Sequence, residues 1–290
     1  MMVDLPPECV RTLLAVVDEG TFDGAARALH VTPSAVSQRI KVLEQRTGRV
    51  LLVRAKPVRL TESGAVIARY GRQLALLERD VNTGLGLLTE PTRVQVAVNA
   101  DSLSTWFRVV VRELAGDPGL VLQLHRDDQD HTAELLRQGL VVAAVTSSPR
   151  PVQGCVARPL GRMRYHAVAT PEFAARWLSP GSVADAPVVV FDEKDDLQDQ
   201  FCRETTGREA TGPRHHLPDG PVFVDAVTSG AGWALLTEAQ IAGLDVELVR
   251  LSPHRPVDVP LHWQQWKLDS PPLARVADAV FRAAAGELRC

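Results

Sequence analysis

The chain has 290 residues, 45% hydrophobic and 23% charged, with a net charge of −3; at ~150 residues per domain this suggests about two domains, each able to bury a core. No apolar run reaches the ~20 residues a membrane-spanning helix needs, and Met1-Met2-Val3-Asp4-Leu5-Pro6-Pro7 lacks a signal-peptide pattern, so membrane and secreted classes are set aside and a cytoplasmic setting is expected. Cys9, Cys155, Cys202 and Cys290 lie far apart with no CxxC or Cys/His pairing, which fits unpaired thiols in a reducing compartment and points to no metal and no cofactor.

In chain order, residues 7–19 read as a helix with Val10, Leu13, Leu14 and Val17 inward and Gly20 closing it. Thr21 caps a second helix whose Phe22, Ala25, Ala26 and Leu29 face inward. A third begins at Pro33 with Thr32 as N-cap. In it Val36, Ile40 and Leu43 follow the i, i+4, i+7 spacing of a buried stripe, while Ser34, Ser37, Gln38 and Lys41 share the opposite face. This is a helix-turn-helix whose last helix carries the polar face that a DNA major groove accepts. Two short extended runs, 51–54 and 58–60, form a wing carrying Arg54, Lys56 and Arg59. From Arg27 to Arg59 eight basic residues stand against one acid, a net of +7, whereas residues 91–290 carry a net of −5. A phosphate-binding head on an acidic body follows. The expected DNA contacts are Thr32, Pro33, Ser34, Ser37, Gln38, Arg39, Lys41, Arg54, Lys56 and Arg59.

Thr61 caps a long helix from Glu62. Its apolar positions Ile67, Tyr70, Leu74, Leu77, Val81, Leu85 and Leu88 make a near-heptad seam about 30 Å long, expected to pair two copies. Gly84, Gly86 and Pro91 end it and supply a hinge. Strands and helices then alternate: strands at 93–99, 121–124 and 141–145 with helices at 103–114 and 132–138, then a second set from 165 to 250. A strand at 259–266 and a helix at 273–288 return to the first set. Short continuous apolar strands between helices imply parallel sheets covered on both faces, in two lobes with a cleft at the strand C-terminal ends.

The run Gly20-Thr21-Phe22, Ala25-Ala26, Leu29, Ser34-Ala35-Val36-Ser37, Ile40, Leu43-Glu44, Gly48, Leu51-Leu52, Arg54, Leu60-Thr61 and Gly64 resembles the winged helix-turn-helix of LysR-type transcriptional regulators. Residues 97–106, 188–192 with Asp195-Asp196, and Leu261-His262-Trp263 resemble the branch that controls basic amino acid export in response to lysine or arginine. The resemblance covers nearly the full length. It departs at Pro33, where this branch often has glutamine, and at Val53, where phenylalanine or glutamate is usual. It implies an α/β chain with an N-terminal all-α winged helix-turn-helix, a long dimerisation helix and a two-lobed periplasmic-binding-protein-like effector domain. The corresponding boundaries are 1–62, 63–90 and 91–290, with lobe I at 91–161 and 267–290 and lobe II at 162–266. It also implies a homodimer or homotetramer on a dyad-symmetric double-stranded DNA site, a small-molecule co-inducer and a possible contact with RNA polymerase.

A basic amino acid presents a carboxylate and two cations. The loop after the 93–99 strand opens a helix whose free N–H groups favour a carboxylate, with hydroxyl donors at Ser102 and Thr105. Asp101 or Ser102 also fits as a simple cap. Asp127, Asp128 and Asp192 are the candidate partners for the cations. Trp106 and Trp263 are placed to line the cleft or to sit in the core, and Thr228 precedes a glycine-rich turn. The expected effector set is Asn99, Asp101, Ser102, Thr105, Trp106, Asp127, Asp128, Asp192, Thr228 and Trp263. An enzyme on the α/β lobes is disfavoured, because GxSxG, Walker and GxGxxG signatures and Cys/His constellations are all missing. An architectural binder acting at replication origins is the other alternative.

Overall fold

The computed structural model describes residues 4–87, 90–126, 129–178 and 182–289, with the backbone alone at 129–131. Leu88, Asp127 and Asp128 lie outside the described residues.

The head opens with α1 (Pro7–Asp18), α2 (Phe22–Ala28) and α3 (Pro33–Thr47). The starts of α2 and α3 are capped by side chains. Thr21 Oγ1 accepts from the Gly24 N–H at 3.0 Å, Thr32 Oγ1 accepts from the Ala35 N–H at 3.2 Å, and α3 stops at Gly48 in the left-handed region, φ 62°. Val36, Ile40 and Leu43 are fully buried and pack with Val10, Leu13, Val16, Ala25 and Ala26 in a core of their own. Val17 packs half-buried against this core as expected, and Val16 is buried in it as well. The wing, β1 (Leu52–Val53) and β2 (Arg59–Leu60), is antiparallel. It is anchored by the Val58 N–H donating to Gly20 O at 2.9 Å.

Next comes α4 (Glu62–Gly84). Its buried face is Gly64, Ala65, Ala68 and Gly71, small residues that bring it against α1. A Cβ on Gly64 would fall 2.0 Å from the Leu51 carbonyl oxygen. Gly64→Ala therefore has to push α4 off the wing. We expect it to cost the head about 3 kcal/mol, read as an early unfolding step in calorimetry; unfolding identical to the parent would contradict this packing.

The body holds one mixed sheet and a small parallel pair. The elements are β3 (Thr92–Val98), α5 (Ala100–Ser104), α6 (Phe107–Leu114), β4 (Leu120–Arg126), α7 (Gln129–Arg137), β5 (Ala143–Thr146), β6 (Cys155–Ala169), α8 (Pro171–Trp177), β7 (Val188–Val190), α9 (Leu197–Thr206), β8 (Arg214–His216), α10 (Gly220–Thr228), β9 (Ala234–Thr237), α11 (Glu238–Ala242), β10 (Val249–Arg250), β11 (Val257–Trp266) and α12 (Pro271–Glu287). The main sheet runs β10-β6-β11-β5-β3-β4, with β9 also on β6. Only β4-β3-β5 is parallel; β11 is antiparallel to both β5 and β6.

The expectation of wholly parallel sheets is thus corrected. Two long strands, β6 and β11, cross from lobe I into lobe II and bind to each other over ten registered residues. The polar stretch Arg158-Pro159…Arg162…Arg164 hides the first part of β6 from an apolar-run reading. The single helix expected at 103–114 is also two, α5 and α6, broken at Thr105 and Trp106. Lobe I is β3–β5 with α6, α7 and α12; lobe II is β7–β9 with α9–α11. One core, including Trp233, Trp263 and Trp266, runs through both lobes, and a smaller one built on Phe223 and Leu236 lies under lobe II. Among the described residues no helix is long and apolar enough to cross a membrane.

Candidate functional site

Two surfaces concentrate polar chemistry. On the head, the polar face of α3 is open: Thr32, Pro33, Ser34, Ser37, Gln38 and Lys41 are all exposed. Arg39 is half-buried and its guanidinium reaches back to Thr12 Oγ1 at 3.4 Å, so it lies apart from that face. Arg54, Lys56 and Arg59 are exposed on the wing, with the Arg54 guanidinium 5.8 Å from the Phe22 ring centre. Glu44, the one acid of the basic segment, accepts from the Leu51 N–H at 2.9 Å; it fixes the wing's start. Lys41, Arg54, Lys56 and Arg59 are left to face outward, as phosphate binding requires.

Along α4 the apolar seam is largely bare. Tyr70, Leu77, Val81 and Leu85 are 42%, 45%, 61% and 68% exposed, and Val66 joins them. Ile67 instead packs into the head core, and Leu74 is half-buried. A row of this length is what a second copy of the same helix covers.

The second surface is a cleft of about 560 Å³ between the lobes. Lobe I contributes Asn99, Ala100, Asp101 and Ser147; lobe II contributes Phe191, Asp192, Lys194–Gln198, Gln200, Phe223, Leu235 and Gln240; the crossing strands add Tyr165 and Val257–Pro260. Asn99 is the cap of α5, its Oδ1 accepting from the Ser102 N–H at 3.3 Å. That leaves the Asp101 carboxylate to the cleft, where Oδ2 accepts from the Tyr165 hydroxyl at 2.9 Å. Burial pushes the Asp101 pKa up to about 6, the nearby Asp195 charge adding to it and the Tyr165 bond opposing it. Asp195 accepts from the Phe191 and Leu197 N–H groups at 2.9 and 3.3 Å. Its pKa is still raised, burial outweighing those bonds. Arg164 clasps Asp258 with two 2.7 Å bonds and neutralises it. Neither Asp101 nor Asp195 has a cationic partner among the described residues. Two desolvated carboxylates facing one cavity make a site for a cation.

Of the expected effector residues, Asn99, Asp101 and Asp192 line the cleft, Asp192 accepting from the Lys194 N–H at 2.8 Å. Ser102 is buried behind it. Four residues are corrections. Thr105 Oγ1 is turned into its own helix, onto Asp101 O, and Thr228 Oγ1 likewise bonds Val224 O. Trp106 is buried at the α5–α6 break, and Trp263 is fully buried in the core with its indole N–H on Gln265 Oε1 at 2.6 Å. Neither tryptophan lines the cleft, because each faces the inner side of its element. Sequence reasoning missed Tyr165, Asp195, Gln198 and Asp258. Asp195 alone left a trace, as an acid between a strand and a helix. The thiols of Cys155 and Cys202 are buried and pushed up to about 11, so neither is a thiolate at neutral pH.

Residues 8–65 match the family model described as bacterial regulatory helix-turn-helix protein, lysR family, and residues 90–285 match the LysR substrate binding domain. The chain is 46% identical over 285 residues to the HTH-type transcriptional regulator LysG of Mycobacterium tuberculosis, covering 96% of this chain and 93% of that one. It is 42% identical to the lysine export transcriptional regulatory protein LysG of Corynebacterium glutamicum, covering 96% and 97%. Full-length LysG from Corynebacterium glutamicum with bound effector Arg superimposes with a TM-score of 0.84 at 41% identity, covering 98% of this chain and 100% of that one.

Proposed function

The chain belongs to the LysR family of DNA-binding transcriptional regulators, and from that premise we propose that it senses a basic amino acid, lysine or arginine, and controls a nearby amino acid exporter gene. The observation that carries this reading is the pair of carboxylates, Asp101 and Asp195, that line the cleft with no cationic partner among the described residues. They suit an ammonium or guanidinium and oppose an anionic or purely apolar ligand. The bound effector Arg of the Corynebacterium relative and that organism's lysine export regulator support the same class.

In this reading residues 1–62 hold DNA through Thr32, Ser34, Ser37, Gln38, Lys41, Arg54, Lys56 and Arg59. Residues 63–90 pair two protomers through Tyr70, Leu77, Val81 and Leu85, and residues 91–290 hold the effector. Asp127 and Asp128 remain proposed contacts for its second cation. The cleft binds and releases its ligand unchanged, in a cytoplasmic protein. Ligand shifts the angle between protomers only by binding one arrangement more tightly than another. The test is footprinting of the full-length protein on its own upstream region with and without saturating arginine or lysine. The protected span should shift or shorten with effector, and Ser37→Ala with Gln38→Ala should weaken the complex without altering effector affinity. Identical footprints in both conditions contradict the proposal.

A further inference from the structure

Asp101 lies on the lobe I wall of the cleft, in the first turn of α5, whereas Tyr165 stands on crossing strand β6. There Tyr165 is paired on one side with Val257 of β11 and on the other with Thr237 of β9. Its ring is 1% exposed, so its position is set by three strands rather than by solvent. Its hydroxyl is the one described side-chain donor to the Asp101 carboxylate, at 2.9 Å. It takes Oδ2, on a residue that lines the cavity.

We propose that Tyr165 is the positioning residue of the effector cleft, holding the Asp101 carboxylate across the lobe boundary so that Oδ1 meets the ligand's cationic group. The proposal rests on reading the cleft as a site for a basic amino acid. The surroundings show why a donor is needed. Among the described residues the other charged groups facing this cavity are Asp192, Lys194, Asp195, Asp196 and the Arg164-bound Asp258. Burial and the Asp195 charge both favour a protonated Asp101, and the Tyr165 bond is what opposes them. Burial and Asp101 itself hold the Tyr165 pKa well above its ordinary value, so the phenol remains a donor throughout the physiological range. A carboxylate that accepts a phenol O–H is favoured in its charged form, the form a cation binds.

The test is calorimetric titration of the full-length protein with arginine between pH 5.5 and 8.5, for the parent and for Tyr165→Phe. Affinity of the parent should fall as pH drops through about 6. In Tyr165→Phe the midpoint should rise to about 7, because a hydrogen bond to a charged group is worth roughly one pKa unit. Affinity near pH 6.5 should then drop about threefold and recover above pH 8. Asp195→Asn should move the midpoint the other way, since it removes a repelling charge. A Tyr165→Phe loss of the same factor at every pH, or an unmoved midpoint in both variants, overturns the proposal while leaving the cleft assignment standing. Absence of arginine or lysine binding by the parent at every pH overturns the cleft assignment and this proposal with it.

Discussion

Asp101→Asn is expected to weaken arginine or lysine binding by about 100-fold while leaving the affinity for DNA without effector unchanged. Removing one partner of a buried charge-assisted contact costs on the order of 2–5 kcal/mol, and 2.7 kcal/mol already corresponds to about 100-fold. The same substitution carries a stability signature of known sign. The Asp101 pKa is raised from 3.8 to about 6 in the fold. The folded state therefore binds a proton that the unfolded chain releases. The stability this gives is complete below about pH 4 and is lost as pH rises through about 6. At neutral pH the ionised, unliganded carboxylate costs the fold up to about 3 kcal/mol, a ceiling reduced by whatever water enters the cleft. Asp101→Asn should accordingly melt higher than the parent at pH 7.5 without effector, with the difference vanishing near pH 4. Adding arginine should raise the parent's melting temperature and leave the variant's unmoved. Equal thermal shifts in the two proteins would contradict the role given to Asp101.

The second large effect concerns α4. Leu77→Glu combined with Val81→Glu is expected to convert the dimer to monomers and to lower affinity for a dyad-symmetric site by on the order of 100-fold or more. Both side chains are about half exposed or more along the bare face of the helix, and they take no part in the head core. Acids there cost the monomer little but face like charges across a two-fold axis. Without pairing, the two heads no longer share one binding event, and the avidity of linked half-sites is lost. Sedimentation velocity and fluorescence anisotropy on the same samples read both consequences. A variant that stays dimeric would show that protomers meet elsewhere.

The head was legible in the sequence because its signals are local. The Thr21, Thr32 and Thr61 caps each bond the residue three positions on, and the Val36–Ile40–Leu43 stripe needs only a helical period. The α4 seam was legible in outline, yet Ile67 belongs to the head core. The small-residue face Gly64–Ala65–Ala68–Gly71 rotates the helix so that Tyr70, Leu77 and Val81 face outward.

The cleft was half legible. The turn after β3 was legible as a helix start capped by Asp101 or Ser102, but the cap is Asn99, and Asp101 lines the cleft. Tyr165, Asp195 and Gln198 reach the same cavity from segments 64 to 97 residues further along the chain, and no periodicity joins them. The crossing strand β6 was missed over its first ten residues for a related reason. Its arginines are carried on a ribbon shared by both lobes, where one of them, Arg164, pairs with Asp258 of β11, so the alternation of a half-buried strand is masked. Thr105, Trp106, Thr228 and Trp263 looked available because sequence marks residue type and not the side of an element that faces the core.

We propose that the cleft of this regulator is a cation-selective amino acid sensor. The most direct measurement is a calorimetric titration of the full-length protein at pH 7.5 with arginine and lysine beside citrulline and norleucine, which keep the α-amino and α-carboxyl groups and lack the distal charge. Arginine or lysine should bind saturably at one site, at least tenfold tighter than the matching neutral analogue, with the preference lost in Asp101→Asn. Equal affinity for charged and neutral side chains, or no binding of any of the four, would contradict it.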